Sequence, residues 1–431
     1  MSDLLLSPHP GATRPTPTSP VAAAVRAPGV GRLLVLSLVA RAPEAVLGLL
    51  FILRVRDLGG SYALGGAVAA AGALGLAAGA PLLGRAIDRR GQSLVLTASV
   101  LVAATAMVLA GLVPDGTSPL ALLPLAVVAG AAQPPVAACL RTLFRRMLPD
   151  ADTRHAALAV EASLQELSFM IGPLVFVSLI AAHDPALGLI ASGAALLLAT
   201  LAFAGSRESR TMPALRNGES RGGALRSTAI RTLLAVGVGV GATFGAAEVS
   251  ITAAAEHAEH AGAVGPLLAA YCIGSLTAGL LTAARGAWPR PIRALTLLLA
   301  ASAVGHALLA AAAPNLWALG GALVLAGAAV APLFAVIYGL TGELAAKGTT
   351  TEAYTWLGSG IFGGAALGSA LGGVLITTVS VPSAFALAAV TTAIAAAVVW
   401  GAAGTLRAPA ATETPQAARV TVRAGAGQSI A

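Results

Sequence analysis

The sequence predicts an all-α polytopic membrane protein: twelve transmembrane helices in two pseudo-symmetric six-helix bundles. Three observations predict it. The 431 residues are 57% hydrophobic and only 10% charged, against about 25% charged in a soluble domain, so there is too little polar surface to cover a water-soluble fold. Apolar runs long enough to cross a bilayer, about 20 residues each, recur twelve times. Short segments of the first half also reappear, in order, in the second.

The runs lie at 33–53, 61–83, 93–113, 119–140, 156–180, 185–205, 229–252, 263–284, 292–312, 315–341, 353–378 and 381–404. Short polar or proline-containing gaps separate them. Ahead of span 1, residues 1–30 are rich in Pro, Ser, Thr and Ala and lack the basic start and apolar run of a signal peptide. They read as a disordered cytoplasmic tail, as do residues 406–431. Residues 31–205 then make the N-terminal bundle, 206–228 a cytoplasmic linker and 229–405 the C-terminal bundle. In span 4, Gln133-Pro134-Pro135 removes helix hydrogen bonds and should bend the helix, which makes Gln133 a polar contact for substrate. Cys139 and Cys272 fall inside apolar runs and read as small core residues.

Arginine sets the direction of the spans. Gaps 84–92, 141–155, 206–231 and 285–293 carry most of the loop arginines, among them Arg85, Arg89, Arg90, Arg141, Arg145, Arg146 and Arg154. The intervening gaps are acidic or near neutral. The alternation places both termini in the cytoplasm and the protein in the cytoplasmic membrane. Arg54 and Arg56, at the outer end of span 1, are the exception, partly offset by Asp57.

Three segment pairs carry the repeat: AGAAQPP (129–135) with AGAAVAP (326–332), EASLQELSFMIG (161–172) with EAYTWLGSGIFG (352–363), and GAPLLGR (79–85) with GLLTAAR (279–285). Their shared order indicates a parallel two-fold repeat, an architecture of transporters.

Other function classes fall away. The net charge of +8 is scattered between apolar runs with no basic-aromatic patch, so no nucleic-acid partner is expected. Lys347 is the only lysine, so there is no Gly-x-x-x-x-Gly-Lys phosphate loop. No enzyme nucleophile turn or catalytic domain appears. His257 and His260, with Glu256 and Glu259, are an incomplete metal set and read as a solvated outer turn. No cofactor and no metal are expected.

The loop GRAIDRRGQSLVL (84–96) between spans 2 and 3 resembles the signature of the major facilitator superfamily, roughly Gly-x-x-x-Asp-Arg-x-Gly-Arg-Arg. Gly84, Asp88, Arg89 and Gly91 match; Gln92 departs, with Arg90 as the substitute base. The resemblance implies a twelve-span transporter whose loop latches against the start of span 11, near Glu352 and Thr355. Asp88 suits such a latch, because a carboxylate is favourable at a helix N-terminus. Gly172 and Pro173 in span 5 resemble an antiporter-associated motif, but Phe176 and Val177 stand where that motif continues. Ala126 occupies the span 4 position where the family often has a coupling arginine. Glycines four apart line faces of span 2 (Gly75, Gly79), span 7 (Gly237, Gly241, Gly245) and span 11 (Gly364, Gly368, Gly372), and are expected to smooth a seam between spans 2 and 11.

Charged residues inside spans are costly and mark function. Arg41 and Glu44 share span 1. Arg41 is about nine residues in from the inner end and Glu166 about ten along span 5, so at 1.5 Å per residue they lie at similar depth. Arg41 is therefore expected to offset Glu166, Glu44 or each in turn, leaving one acid to carry a proton. A static pair fixing helix rotation is the plainer reading. Glu161, nearer the interface, is expected to meet Arg154 or water. Glu248, in span 7, is a possible counter-charge for ligand, and His306 a packing residue.

These readings converge on a monomeric secondary transporter in the lipid bilayer, moving a small molecule by alternating access. Proton-coupled efflux of an amphipathic or apolar compound comes first. Symport or facilitated uptake is the alternative, and a non-transporting sensor or scaffold is third.

Overall fold

The computed structural model describes residues 19–212 and 223–407. Twelve helical segments there are long and apolar enough to cross a membrane: span 1 Val30–Asp57, span 2 Tyr62–Arg90, span 3 Gln92–Gly111, span 4 Pro119–Met147, span 5 Ala151–Ala181, span 6 Pro185–Ala204, span 7 Thr228–His257, span 8 Val264–Arg285, span 9 Pro291–Ala312, span 10 Leu316–Leu344, span 11 Thr350–Thr378 and span 12 Val381–Gly401. Polar caps set the tightest breaks. Asp184 accepts from the Leu187 amide at 3.0 Å to start span 6, and Asn315 accepts from the Trp317 amide at 2.9 Å to start span 10.

The repeat is visible in the breaks. Span 4 is interrupted between Ala131 and Val136, at Gln133-Pro134-Pro135. Span 10 is interrupted between Gly327 and Val330, in the matching segment, where Pro332 sits in the first turn of the resumed helix. Span 5 widens from α to π geometry over Pro173–Ala181. Pro173 has no amide hydrogen to keep the tighter ladder.

The packing follows the same two-fold plan. In the first bundle span 1 packs on 5 and 6, span 2 on 4, and span 3 on 6; in the second, span 7 packs on 11 and 12, span 8 on 10, and span 9 on 12. The bundles meet where span 2 lies along span 11 and span 5 along spans 8 and 10. The glycine faces correct the expected seam. Gly75 and Gly79 press on Val127 and Ala131 of span 4, while Gly364 and Gly368 press on Val238 and Ala242 of span 7. They draw helices together inside each bundle. At the boundary of spans 2 and 11 the close approach belongs to Gly84, where a Cβ would meet the Thr355 hydroxyl and the Glu352 Cα.

Two ends differ from the sequence expectation. Residues 20–26, expected in a disordered tail, form a short helix; residues 1–18, 213–222 and 408–431, covering the rest of the expected tails and part of the linker, lie outside the described residues. Arg54, the exception to the charge alternation, is buried. It binds the Asp57 carboxylate and donates to the Val113 carbonyl at 2.5 Å. Arg56 covers the Tyr62 ring at 4.3 Å. Both therefore serve local packing on the far side.

Candidate functional site

The charged centre of the first bundle is built on Glu161 of span 5, which is buried at 1% exposure. Arg141 approaches it in bidentate fashion, Nε to Oε2 and Nη2 to Oε1, each at 2.9 Å. Arg41 of span 1 donates to Oε1 at 2.5 Å. Planar guanidinium and carboxylate groups suit this geometry. Taking such charges out of water costs several kcal/mol per ion, and only close pairing offsets it.

Two sequence expectations are corrected here. Arg41 pairs with Glu161, not with Glu166. Glu161 is not an interfacial group on Arg154; Arg154 lies 3.8 Å from Glu343 instead. The physical reason is the length of span 4. Its second segment runs Val136–Met147, so Arg141, counted as a loop arginine, sits inside the helix and brings a second cation to span 5. Leu140, Leu143 and Phe144 around it were the available signal, since apolar neighbours continue the buried face past residue 140.

From this pair the network crosses to the second bundle. Arg141 Nη2 also reaches Gln165 Oε1 at 3.3 Å, and its guanidinium lies 3.5 Å from the centre of the Tyr338 ring. The Tyr338 hydroxyl donates to Gln165 at 3.2 Å, and the Tyr354 hydroxyl donates to the Tyr338 carbonyl at 3.0 Å. Phe244 and Phe334 extend the stack, with ring centres 5.7 Å apart. Gln165, Tyr338 and Tyr354 carried no sequence signal, because a single polar residue among aromatics has no recurring spacing.

Glu166 lies one residue beyond Gln165, half-buried at the junction of the bundles. The Cys272 thiol of span 8 points at its Oε2 from 3.8 Å. Glu44 is half-buried on span 1, one turn beyond Arg41. Among the described residues neither acid has an arginine, lysine or histidine nitrogen within 4.0 Å, whereas Glu161 has two arginines. Glu248 is exposed on span 7, and Gln133 is buried in the break of span 4 with Oε1 unpartnered among the described residues. Neither joins the network. Gly172 lets span 5 approach span 1 closely, since a Cβ there would run into the Ala42 carbonyl, and Pro173 opens the π segment. His306 is buried, its Nδ1 2.7 Å from the Ser302 carbonyl.

A second constellation closes one side of the molecule, that of loop 84–92. Asp88 accepts from the Thr351 and Glu352 amides at 3.2 and 2.9 Å, so its carboxylate faces the start of span 11. Arg85 binds Glu352 at 2.8 Å. Arg89 and Arg90 stand exposed, and Gly91, at φ 94°, turns the chain into span 3. The Ala287 amide donates to Asp152 at 2.8 Å, and Thr142 and Thr351 are 3.2 Å apart. Deeper contacts are Ser359 to the Ala77 carbonyl at 3.2 Å and Cys272 to Glu166. Among the described residues, every hydrogen bond or ion pair between the bundles lies on this side or near mid-depth.

Two six-helix bundles, repeat-related and joined across a charged seam, define a polytopic transporter fold. The chain belongs to the major facilitator superfamily, whose model matches residues 33–253. Solved structures show the same fold. The human organic anion transporter MFSD10 matches with a TM-score of 0.66 at 17% identity, covering 87% of this chain and 99% of that one. A bacterial homologue of the iron transporter ferroportin, in an outward-facing state, gives 0.70 at 14% identity, over 87% and 99%. The E. coli fucose:proton symporter FucP gives 0.68 at 16%, over 86% and 98%. No curated protein sequence matches the chain. The fold supports secondary transport of a small solute by a multi-pass membrane protein.

Proposed function

We propose that this protein is a proton-coupled secondary transporter that exports an amphipathic or apolar compound across the cytoplasmic membrane by alternating access. Both termini and the linker 206–228 lie in the cytoplasm, as the arginine alternation requires, and the protein works as a monomer. The closed seam at loop 84–92 is then the cytoplasmic gate, and the arrangement is outward-facing. Asp88, with Arg85 and Gly84, forms the latch; Arg89, Arg90 and Gly91 complete its loop.

The observation that carries the coupling is the position of Glu166. It stands where the bundles meet, against Cys272 of the opposite bundle, with no cation on it, while Arg41 and Arg141 are both held by Glu161. A carboxyl between apolar walls is held at less cost neutral than charged. Rocking the bundles separates span 5 from span 8 and gives Glu166 to water, where it releases its proton. Glu44, one turn beyond Arg41, is the second candidate carrier. Gln133 and Glu248 are candidate polar contacts for substrate on the two sides of the pathway, and Gly172-Pro173 sets the course of span 5 beyond Glu166.

The test is flux in inverted vesicles under an imposed pH gradient, with a panel of amphipathic compounds. Glu166→Gln should insert normally and lose gradient-driven flux at least tenfold, which corresponds to about 1.4 kcal/mol in the coupled step. Full coupling in Glu166→Gln and in Glu44→Gln would remove both acids from the coupling site. Flux in the opposite sense, inward with protons, would select the symport alternative.

A further inference from the structure

Ahead of span 1 the chain forms a seven-residue helix, Pro20–Arg26, on the side of loop 84–92. Helices shorter than about 12–15 residues are marginal on their own in water, so its surroundings must hold it. Part of the hold is local. Ser19 accepts from the Ala22 amide at 3.2 Å and Pro20 occupies the first turn. The rest is tertiary: the helix packs against span 5, and also against span 8. Ala24 is fully buried, and Val21 rests on the core.

Spans 5 and 8 belong to different bundles. The helix therefore straddles the junction that the Ala287–Asp152 hydrogen bond also closes. Its attachment is one-sided. Gly29, at φ 83°, turns the chain from the short helix into span 1, a conformation that favours glycine. The Glu208 carboxylate lies against Gly29 and binds Arg32 at 3.0 Å, fixing this corner to the first bundle. When the bundles part on this side, the contact with span 8 is the one that breaks.

We propose that Pro20–Arg26 is an intramolecular clip: it holds spans 5 and 8 together on the side of loop 84–92 and leaves its seat on span 8 each time that side opens. The clip rests on the alternating-access reading for its consequence, but its test needs no substrate. A reporter thiol is placed by Ala283→Cys, at a fully buried position of span 8, in a Cys139→Ala, Cys272→Ser background of the full chain in proteoliposomes. The rate of alkylation by a permeant maleimide then reads opening. Replacing Pro20–Arg26 by seven Gly and Ser residues keeps the tether and removes the helix. Ala24→Glu forces a charge into the buried seat.

Both changes should raise the alkylation rate about fivefold or more, the shift expected from a small bias on a two-state equilibrium, while Ala24→Ser stays near the parent. An unchanged rate in the Gly/Ser replacement overturns the clip, whatever Ala24→Glu does. Failure of both to insert would make the segment a folding element and overturn it equally. Absence of pH-driven flux in the unsubstituted protein, with the alkylation difference intact, would instead sink the transport reading and leave the clip standing.

Discussion

Glu161 and Glu352 open the matching repeat segments of spans 5 and 11, and both are buried, at 1% and 3% exposure. Each is bound by arginine, but the arginines come from different places. Glu161 takes Arg41 and Arg141 from spans 1 and 4 of its own bundle. Glu352 takes Arg85 from span 2 of the other bundle. The helix starts differ in the same way. Span 5 is capped by its own Asp150, which accepts from the Thr153 amide at 2.8 Å. Span 11 is capped by Asp88 across the seam, and the Thr349 side chain, at its own cap position, accepts from no amide of the helix. One copy of the repeat spends its polar groups on making a bundle rigid. The other leaves its polar groups to a partner that it can release. A symmetric frame thus becomes an asymmetric machine through the choice of partner, with little change in the glutamates themselves.

Glu161→Gln tests the rigid side and should have the largest effect. It leaves the buried Arg141 and the half-buried Arg41 sharing one neutral amide. Removing one partner of a buried pair costs about 3–5 kcal/mol, so the melting temperature of the purified protein should fall by several degrees or more. Replacing Arg41, Arg141 and Glu161 together by neutral residues of similar volume should recover much of that loss. Glu352→Gln, by contrast, should melt close to the parent, because the Arg85 side chain is 43% exposed and water screens the pair. Equal losses in the two variants would erase the distinction between a fixed pair and a releasable one.

Asp88→Asn tests the releasable side. Asparagine keeps the shape and one hydrogen-bond acceptor but removes the charge facing the start of span 11. A carboxylate at a helix N-terminus contributes about 0.3–1 kcal/mol, so the seam should open more often, by up to about fivefold, without loss of insertion. The reading is the accessibility of a thiol placed at Thr355, buried beneath Gly84. Unchanged accessibility together with unchanged flux would mean that Asp88 does not latch.

How much of this was legible depends on what the signal was made of. Span number follows from apolar run length, a signal that every residue in a run reinforces, and the six-plus-six division from the long inner gap 206–231 and the repeated segments on its two sides. The span 4 break was legible because proline has one chemistry in a helix. Asp88 at span 11 was legible through a family motif. The partner of Arg41 was not. Depth along a helix narrows candidates to a layer, and Glu161, Gln165 and Glu166 all come near that layer; which of them faces span 1 depends on helix rotation. Arg141 was hidden by its neighbours Arg145 and Arg146, which made the whole stretch look like a loop. Likewise Gly75, Gly79, Gly364 and Gly368 announced close approach but not to which helix, since four-residue spacing marks a face and says nothing of what covers it.

The smallest effect belongs to the two caps, and acid separates them. Asp150 lies outside the membrane spans and is exposed. The Thr153 hydroxyl and then its amide, at 2.6 and 2.8 Å, hold its carboxyl below the usual carboxylate range. The group is therefore ionised more readily folded than unfolded. Its contribution is present above the unfolded value, near pH 4, and is lost as the pH falls through the lower folded value. The loss should be confined to the first turn of span 5, because this cap touches no other bundle. Amide exchange at Thr153, followed by mass spectrometry as the pH is lowered below about 4, should lose protection relative to the intrinsic chemical rate in the parent and not in Asp150→Ala, where the cap is already gone. The seam read at Thr355 should not respond to Asp150→Ala at neutral pH. If it does, span 5 transmits its own cap to span 11, and the division between a self-capped helix and a partner-capped one fails.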